Sequence, residues 1–414
     1  MKLASVVGRD IDTQRDEQFR MPASKYSTFL RVLHLGKYFY PDSGGIETVT
    51  KDIAQGTARA GCAVSVLCFA QVERTLVEYS FGVDVVRVPI WKALASQPIG
   101  WQYYREFQCL SSSFDIVHIH LPNMLAVLAL LSSRFHGQVV VHWHSDVVNK
   151  GWLGILALPI EQLMLWRADA IIATSQAYAS ASPLLGQYKD KIYIVPIGIP
   201  APEFFDENGA DIGAPFALSV DGLLIRIPDD ALIILAVGRL VPYKGFDVLI
   251  DAARNLPADS YVVIVGGGEL RDELEYRIRR QGLAGRVILA GRLTEESLRA
   301  LFKRAVLFCL PSVSRAEAFG VVLLEAMAYG LPIVASDIQG SGVPWVNQHG
   351  LTGLNVPPGD STALAVALTQ LLEAPERCEE MGRQARLRFE AEFTSELATH
   401  RVLAIYEGLL GRCI

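Results

Sequence analysis

The feature that most narrows the fold of this chain is a rhythm that occurs twice. From about Phe29, short apolar runs alternate with stretches of helical period. The runs at 30–35 (LRVLHL), Ala63–Phe69, Val83–Pro89, 115–120 (DIVHIH), 139–144 (VVVHWH), Ala170–Ala173 and Ile192–Val195 read as strands. Helices are predicted over about Ile46–Ala60, stopping at Gly61, and near residue 100. Continuously apolar strands are buried on both faces, which requires a mostly parallel sheet with helices on each side. Between Pro200 and Asp230 the rhythm lapses into prolines, glycines and acids, the composition of a linker. It then resumes with Leu232–Val237, Tyr261–Val265, Val287–Ala290, Leu307–Leu310 and Ile333–Ala335. For 414 residues, two consecutive α/β units fit better than one very large sheet. Such sheets bind ligands outside the carboxyl ends of their strands, so two facing units would enclose a cleft.

Composition removes several function classes. The chain is 51% apolar and 20% charged, which excludes global disorder. Its net charge of −6 speaks against a nucleic-acid partner. Six cysteines (62, 68, 109, 309, 378 and 413) show no C-x-x-C spacing, so neither a disulfide framework nor a zinc site is expected. No run of about eighteen apolar residues stands free of charges and breakers. The richest stretch, Gly151–Trp166, is interrupted by Pro159 and Glu161. A soluble or peripheral protein is the expectation, with residues 1–28 as a flexible extension.

Four places offer chemistry. The loop from Gly36 to Glu47, closing as Gly44-Gly45-Ile46-Glu47, joins a strand to a helix start. Its free N–H groups suit phosphate or a sugar oxygen, although a tight turn would use the same glycines. No G-x-G-x-x-G is present there, which weakens a nicotinamide reading. His118/His120 and His142/His144 form two pairs at strand ends, each pair on one face. Without cysteine, and with Asp146 the lone nearby acid, they read as ligand contacts or edge caps rather than a closed metal site. His144, furthest along its strand, is the ligand-facing candidate, while for His120 a structural role is equally open. Gly238-Arg239 followed by Lys244-Gly245 sets two cations at a strand end, able to clamp a diphosphate or to serve as surface charge. Finally, Glu325 falls in the apolar middle of a helix predicted over Val321–Tyr329, and a carboxylate there needs donors. Glu317, just before that helix, can face the same ligand while the N–H groups of residues 319–321 take charged oxygens.

Together these pieces resemble the retaining, nucleotide-sugar-dependent glycosyltransferases of family four, over about Arg31 to Leu410. The most specific elements are Glu317 and Glu325 at a seven-residue interval, Gly238-Arg239…Lys244-Gly245, and Gly44-Gly45-Ile46-Glu47. The resemblance implies the GT-B architecture: α/β, with two Rossmann-like domains whose parallel sheets face each other across a cleft. The expected divisions are 29–225 on the acceptor side, 226–392 on the donor side, and 393–414 as a helix returning to the first domain. It implies that Arg239 and Lys244 hold the donor diphosphate, Glu325 the ribose hydroxyls, and Glu317 the transferred sugar. The backbone of Phe319, Gly320 and Val321 would touch sugar and phosphates, Gly45 would approach the phosphates, and His144 would lie beside the sugar. Glu317, Lys244, Arg239 and His144 are the expected catalytic set. No metal or other cofactor is expected, because such enzymes stabilise the leaving diphosphate with cations and helix dipoles.

The segments His142-Trp-His-Ser-Asp146 and Gly340-Ser-Gly-Val-Pro-Trp345 look like those of bacterial polysaccharide mannosyltransferases. That likeness implies GDP-mannose as donor, a lipid-linked glycan as acceptor, and a cytoplasmic enzyme peripheral at the inner membrane. A UDP-hexose donor, a sugar-nucleotide epimerase and a non-catalytic binding protein on the same fold are the alternatives.

Overall fold

The computed structural model describes residues 30–42, 44–94, 97–146, 151–202, 217–220 and 223–411. The expected extension at 1–28 lies outside the described residues. The first unit opens with β1 (Arg31–Leu35), α1 (Gly45–Arg59), β2 (Ala63–Ala70), β3 (Leu76–Ser80) and β4 (Val83–Pro89). A small antiparallel hairpin of β5 (Lys92–Leu94) and β6 (Gln97–Ile99) leads into α2 (Trp101–Leu110). Then come β7 (Ile116–Leu121), α3 (Met124–Leu131), β8 (Gln138–Trp143), α4 (Gly151–Arg167), β9 (Ala170–Ala173), α5 (Gln176–Ala181) and β10 (Ile192–Ile194). The sheet order is β10-β9-β8-β7-β1-β2-β4-β3, parallel except for β3 against β4. β3 escaped the sequence reading because it is an edge strand whose residues are all at least partly exposed, so it shows no apolar run.

Within the expected linker, β11 (Ala217–Val220) and β12 (Leu223–Arg226) pair antiparallel, so part of that segment is structured after all. The sequence signal was the dipeptide Asp221-Gly222 between the mainly apolar runs Ala217–Val220 and Leu223–Arg226. The second unit runs β13 (Leu232–Val237), α6 (Phe246–Ala253), β14 (Ser260–Val265), α7 (Arg271–Arg280), β15 (Val287–Gly291), α8 (Glu295–Arg304) and β16 (Leu307–Leu310). It continues with α9 (Val321–Ala328), β17 (Ile333–Ser336), α10 (Val343–Val346), β18 (Gly353–Val356) and α11 (Ser361–Leu372). Its strands, ordered β15-β14-β13-β16-β17-β18, are all parallel. β18 was not read because it is only four residues long and begins at a glycine. A β-carbon on Gly353 would stand 1.9 Å from the Ile333 carbonyl oxygen, so the strand can form only there with glycine.

The order reverses at β1/β7 in one sheet and at β13/β16 in the other. These are the switch points where doubly wound sheets leave a crevice at their carboxyl ends. Each sheet is buried on both faces: Leu33, Val117 and Val141 pack to one side of the first, and Val32, Ile116 and Val140 to the other.

After α12 (Pro375–Glu392) the chain returns to the first unit as α13 (Ser395–Leu410). Ile199 donates its N–H to the Phe393 carbonyl and accepts from Ser395, at 2.9 Å each. The crossing is close enough that a β-carbon on Gly198 would lie 2.1 Å from the Thr394 carbonyl oxygen. Gly198→Ala must therefore push the two backbones apart. The expected cost is about 1–3 kcal/mol, the range for overpacking, read as a lower urea midpoint with an unchanged slope.

Candidate active site

The second unit's switch point brings two loops into contact. The loop after β13 ends in a 3-10 turn, Pro242–Lys244, closed by Gly245 at φ 66°. A β-carbon on Gly245 would sit 2.1 Å from the Pro311 carbonyl oxygen, so glycine lets this loop lie against the one after β16. The Val313 N–H donates to the Tyr243 carbonyl at 2.8 Å, stitching the loops together. The result is a buried ion pair: Lys244 Nζ lies 2.5 Å from Glu317 Oε2. Ser312 Oγ donates to the same carboxylate oxygen at 2.9 Å, and both charged residues are only 8% exposed. Arg239 stands on the open side of the loop, exposed, with its guanidinium donating to the Tyr243 hydroxyl at 3.2 Å.

α9 begins beside this pair. Gly320, at φ 80°, turns the chain into the helix, whose first N–H groups have no partner within it. Phe319 does not present its side chain: the ring is buried against Phe393 and Trp345, so only its backbone faces the loop side. The carboxylate of Glu325, half-buried on α9, has no hydrogen-bond partner among the described residues. Burial pushes its carboxyl up to about 7, against the opposing pull of the Lys244 charge.

The first unit meets these elements directly. A β-carbon on Gly45, the first residue of α1, would lie 3.8 Å from Val321 Cγ2, so the starts of α1 and α9 face each other. The Glu47 carboxyl in the first turn of α1 is raised by burial, partly offset by Lys37 and Arg239. Arg315, in the loop carrying Glu317, reaches Asp146 of the first unit at 3.1 Å. Asp146 is fixed by donation from Trp143 Nε1 at 3.0 Å and Ser182 Oγ at 2.7 Å. Arg315 is fixed by donating to the Gly340 carbonyl at 3.1 Å and by lying over the Tyr178 ring. This latch couples the loop after β8, which holds His144, to the loop of Glu317.

Gly45, Arg239, Lys244, Glu317, Val321 and Glu325 thus gather where the two units meet. Sequence reasoning missed Ser312, an ordinary loop serine five residues before Glu317, and the Arg315–Asp146 latch, whose partners 169 residues apart leave no local pattern. The histidines need correction. β7 and β8 are interior strands, so His118, His120 and His142 neither cap an edge nor face a ligand; each is at most 1% exposed beneath α1 and α13. Only His144, 6% exposed beyond the end of β8, remains in position for a ligand. His34 of β1 joins them on the same face, a position strand alternation could have shown.

On α4, Leu158, Leu163 and Trp166 are exposed. Among the described residues, no helix is long and apolar enough to cross a membrane.

Two family models match the chain: Glycosyl transferases group 1 over residues 225–388, and Glycosyl transferase 4-like domain over residues 44–198. The chain is similar to O-antigen chain mannosyltransferase C of Escherichia coli, 33% identical over 387 residues, covering 92% of this chain and 99% of that one. It is also similar to D-rhamnosyltransferase WbpZ of Pseudomonas aeruginosa, 32% identical over 374 residues, covering 88% and 93%. Among solved structures, sucrose-phosphate synthase from Thermosynechococcus elongatus shares the fold with a TM-score of 0.76 at 22% identity, over 92% of this chain and 99% of that one. Two parallel sheets meeting at their switch points, and a relative matched almost end to end, place this chain in the group 1 family of GT-B glycosyltransferases.

Proposed function

We propose that the protein moves mannose from GDP-mannose to a hydroxyl of a lipid-linked glycan, with retention of anomeric configuration. The observation that carries this reading is the grouping of Lys244, Glu317 and Glu325 against the opposed starts of α1 and α9. Lys244 and Arg239 supply positive charge for the donor diphosphate, and the helix starts add N–H groups and positive dipole ends. Glu325 is a carboxyl lacking donors in a half-buried place, which ribose hydroxyls would satisfy. Glu317, held by Ser312 and Lys244, accepts from hydroxyls of the transferred sugar. Charge developing on the departing nucleotide is met by groups already oriented toward it, so preorganised electrostatics is the main catalytic contribution. Retention follows if a diphosphate oxygen takes the acceptor's proton on the face the leaving group vacates; no protein base is then needed. No metal or other cofactor takes part in this scheme.

The names of the two relatives, a mannosyltransferase and a D-rhamnosyltransferase of bacterial glycans, support a GDP-linked hexose and a polysaccharide acceptor. The exposed apolar residues of α4 suit an enzyme working at the cytoplasmic face of a membrane, where its acceptor would be anchored. A UDP-hexose donor is the second reading. A thermal-shift screen of GDP-, UDP- and ADP-sugars separates them. GDP-mannose should stabilise the protein by about 2.7 kcal/mol at a hundredfold excess over its Kd; a shift with UDP-sugars alone refutes the GDP assignment.

Two further outcomes are expected. Lys244→Ala and Glu317→Gln should each lower kcat for sugar transfer by about 10²–10³, with the near-ultraviolet circular dichroism of the native protein retained. The Glu325 carboxyl, raised to about 7, is protonated below that pH and ionised above it. The ionised form is the stronger acceptor for ribose hydroxyls, so donor KM should fall as pH rises through about 7 and become flat in Glu325→Gln. A KM profile identical in the two proteins removes Glu325 from the donor site.

A further inference from the structure

Five histidines form a ladder on one face of the first sheet, under α1 and α13. In register, His34 of β1 lies beside His118 of β7, and His120 of β7 beside His142 of β8. Three of them make a chain of hydrogen bonds. His144 Nε2 is 3.0 Å from His120 Nδ1, and His120 Nε2 is 3.1 Å from His34 Nδ1. Their rings are tilted by only 14° and 26°, with centroids 5.3 and 5.4 Å apart, so they run edge to edge. The other two stack on this ribbon: His142 on His144 at 4.1 Å and His118 on His120 at 4.6 Å. His118 also shares a 2.5 Å hydrogen bond with the Tyr406 hydroxyl of α13.

Two triads, His34/His118/His120 and His120/His142/His144, bring nitrogens within 4.8 Å, the grouping of a metal site. The chemistry points elsewhere. His120 uses both of its nitrogens in the chain, and near-parallel rings keep their lone pairs in parallel planes, which opposes convergence of three of them on one point. Neither triad contains a carboxylate to offset a dication in the core. Burial drops His34 and His144 to about 3 and the other three well below their ordinary value, so all five are neutral near pH 7.

In a neutral chain, each ring carries one proton, and a single choice fixes the rest. His34 Nε2 is buried without a partner. A bare nitrogen there is tolerated better than an orphaned N–H, the rarer of the two in proteins. The His34 proton therefore sits on Nδ1 and is donated to His120 Nε2. The His120 proton then sits on Nδ1 and is donated to His144 Nε2. His144 is left with its proton on Nδ1, the nitrogen that has no partner among the described residues and is not among the buried orphans. We infer that the ladder locks His144 as the Nδ1–H tautomer, a fixed hydrogen-bond donor to an oxygen of the bound sugar nucleotide, with His120 and His34 as positioning residues. This rests on the donor site proposed above.

The test reads the tautomer directly, by long-range proton–nitrogen NMR of the full chain labelled with ¹⁵N-histidine, with the His144 signals assigned by their loss in His144→Gln. Wild type should show Nδ1 protonated and Nε2 bare. His34→Leu removes the donor that starts the chain and should release His144 toward the Nε2–H form. His34→Gln keeps an N–H at that point and should preserve the wild-type signature. In steady-state assays with GDP-mannose, His34→Leu should raise donor KM roughly 5- to 10-fold with kcat unchanged, as lost uniform binding does, and His34→Gln should restore it. A packing defect alone would lower Tm in both variants and leave KM where it was. An Nε2–H or doubly protonated His144 in wild type overturns the inference. So does an unchanged tautomer in His34→Leu, or stoichiometric zinc or copper bound by the purified protein. An Nδ1–H tautomer in a protein that binds no sugar nucleotide would overturn the donor role while leaving the tautomer assignment standing.

Discussion

The arrangement of the second unit depends on one buried ion pair, Lys244 with Glu317. A desolvated pair of this kind adds little net stability compared with apolar residues of the same volume, yet losing one partner costs about 3–5 kcal/mol. It therefore polices the geometry of the loops more than it strengthens the fold. Lys244 reaches Glu317 only because Gly245 lets its loop lie on Pro311, and Ser312 completes the carboxylate's coordination. In the proposed donor site, an arriving diphosphate would find a cation already dehydrated and aimed, with a carboxylate beside it already oriented for hydroxyls. The reorganisation that water would demand has been met by folding.

Contact between the units follows a similar logic. The switch point of each sheet supplies a helix start, and the near contact of Gly45 with Val321 shows that the two starts converge. Arg315 and Asp146 then couple the Glu317 loop to the end of β8. Arg315 is partly exposed, so screening reduces its Coulomb energy, but each partner is held by further bonds within its own unit. The contact is better understood as a gauge of spacing than as glue. It sets how far the carboxyl end of the histidine ladder stands from the acids of the other unit.

Much of this was legible beforehand. Strands that are unbroken apolar runs, such as 232–237, can only be central strands of a parallel sheet, and they were. Loop residues of unusual chemistry at their carboxyl ends, Lys244 and Glu317, marked the switch point only in combination, since either alone could have been surface charge or a helix cap. What escaped was whatever depended on a distant partner or on lacking a core face. β3 is an edge strand without an apolar run, and the β11–β12 ribbon pairs only within itself, inside a segment whose composition reads as a linker. Arg315 gives no hint of Asp146. The histidines were seen as strand ends, but whether β7 and β8 lay at an edge or in the interior was settled only by the strand order. The boundaries drawn at 225 and 392 remain a proposal about how the chain divides.

The return of the C-terminal helix has a mechanical meaning. The chain leaves the first unit just after Ile199 and comes back at Thr394, and those two passages are bonded side by side. At this crossing the two passages between the halves of the molecule thus run side by side. Adjoining tethers permit the halves to swing about that crossing, as a door turns on its jamb, while opposing sliding and wholesale separation. A rotation that opened the mouth of the enzyme for substrate entry would meet least resistance about the crossing at Gly198, where the two passages are already joined.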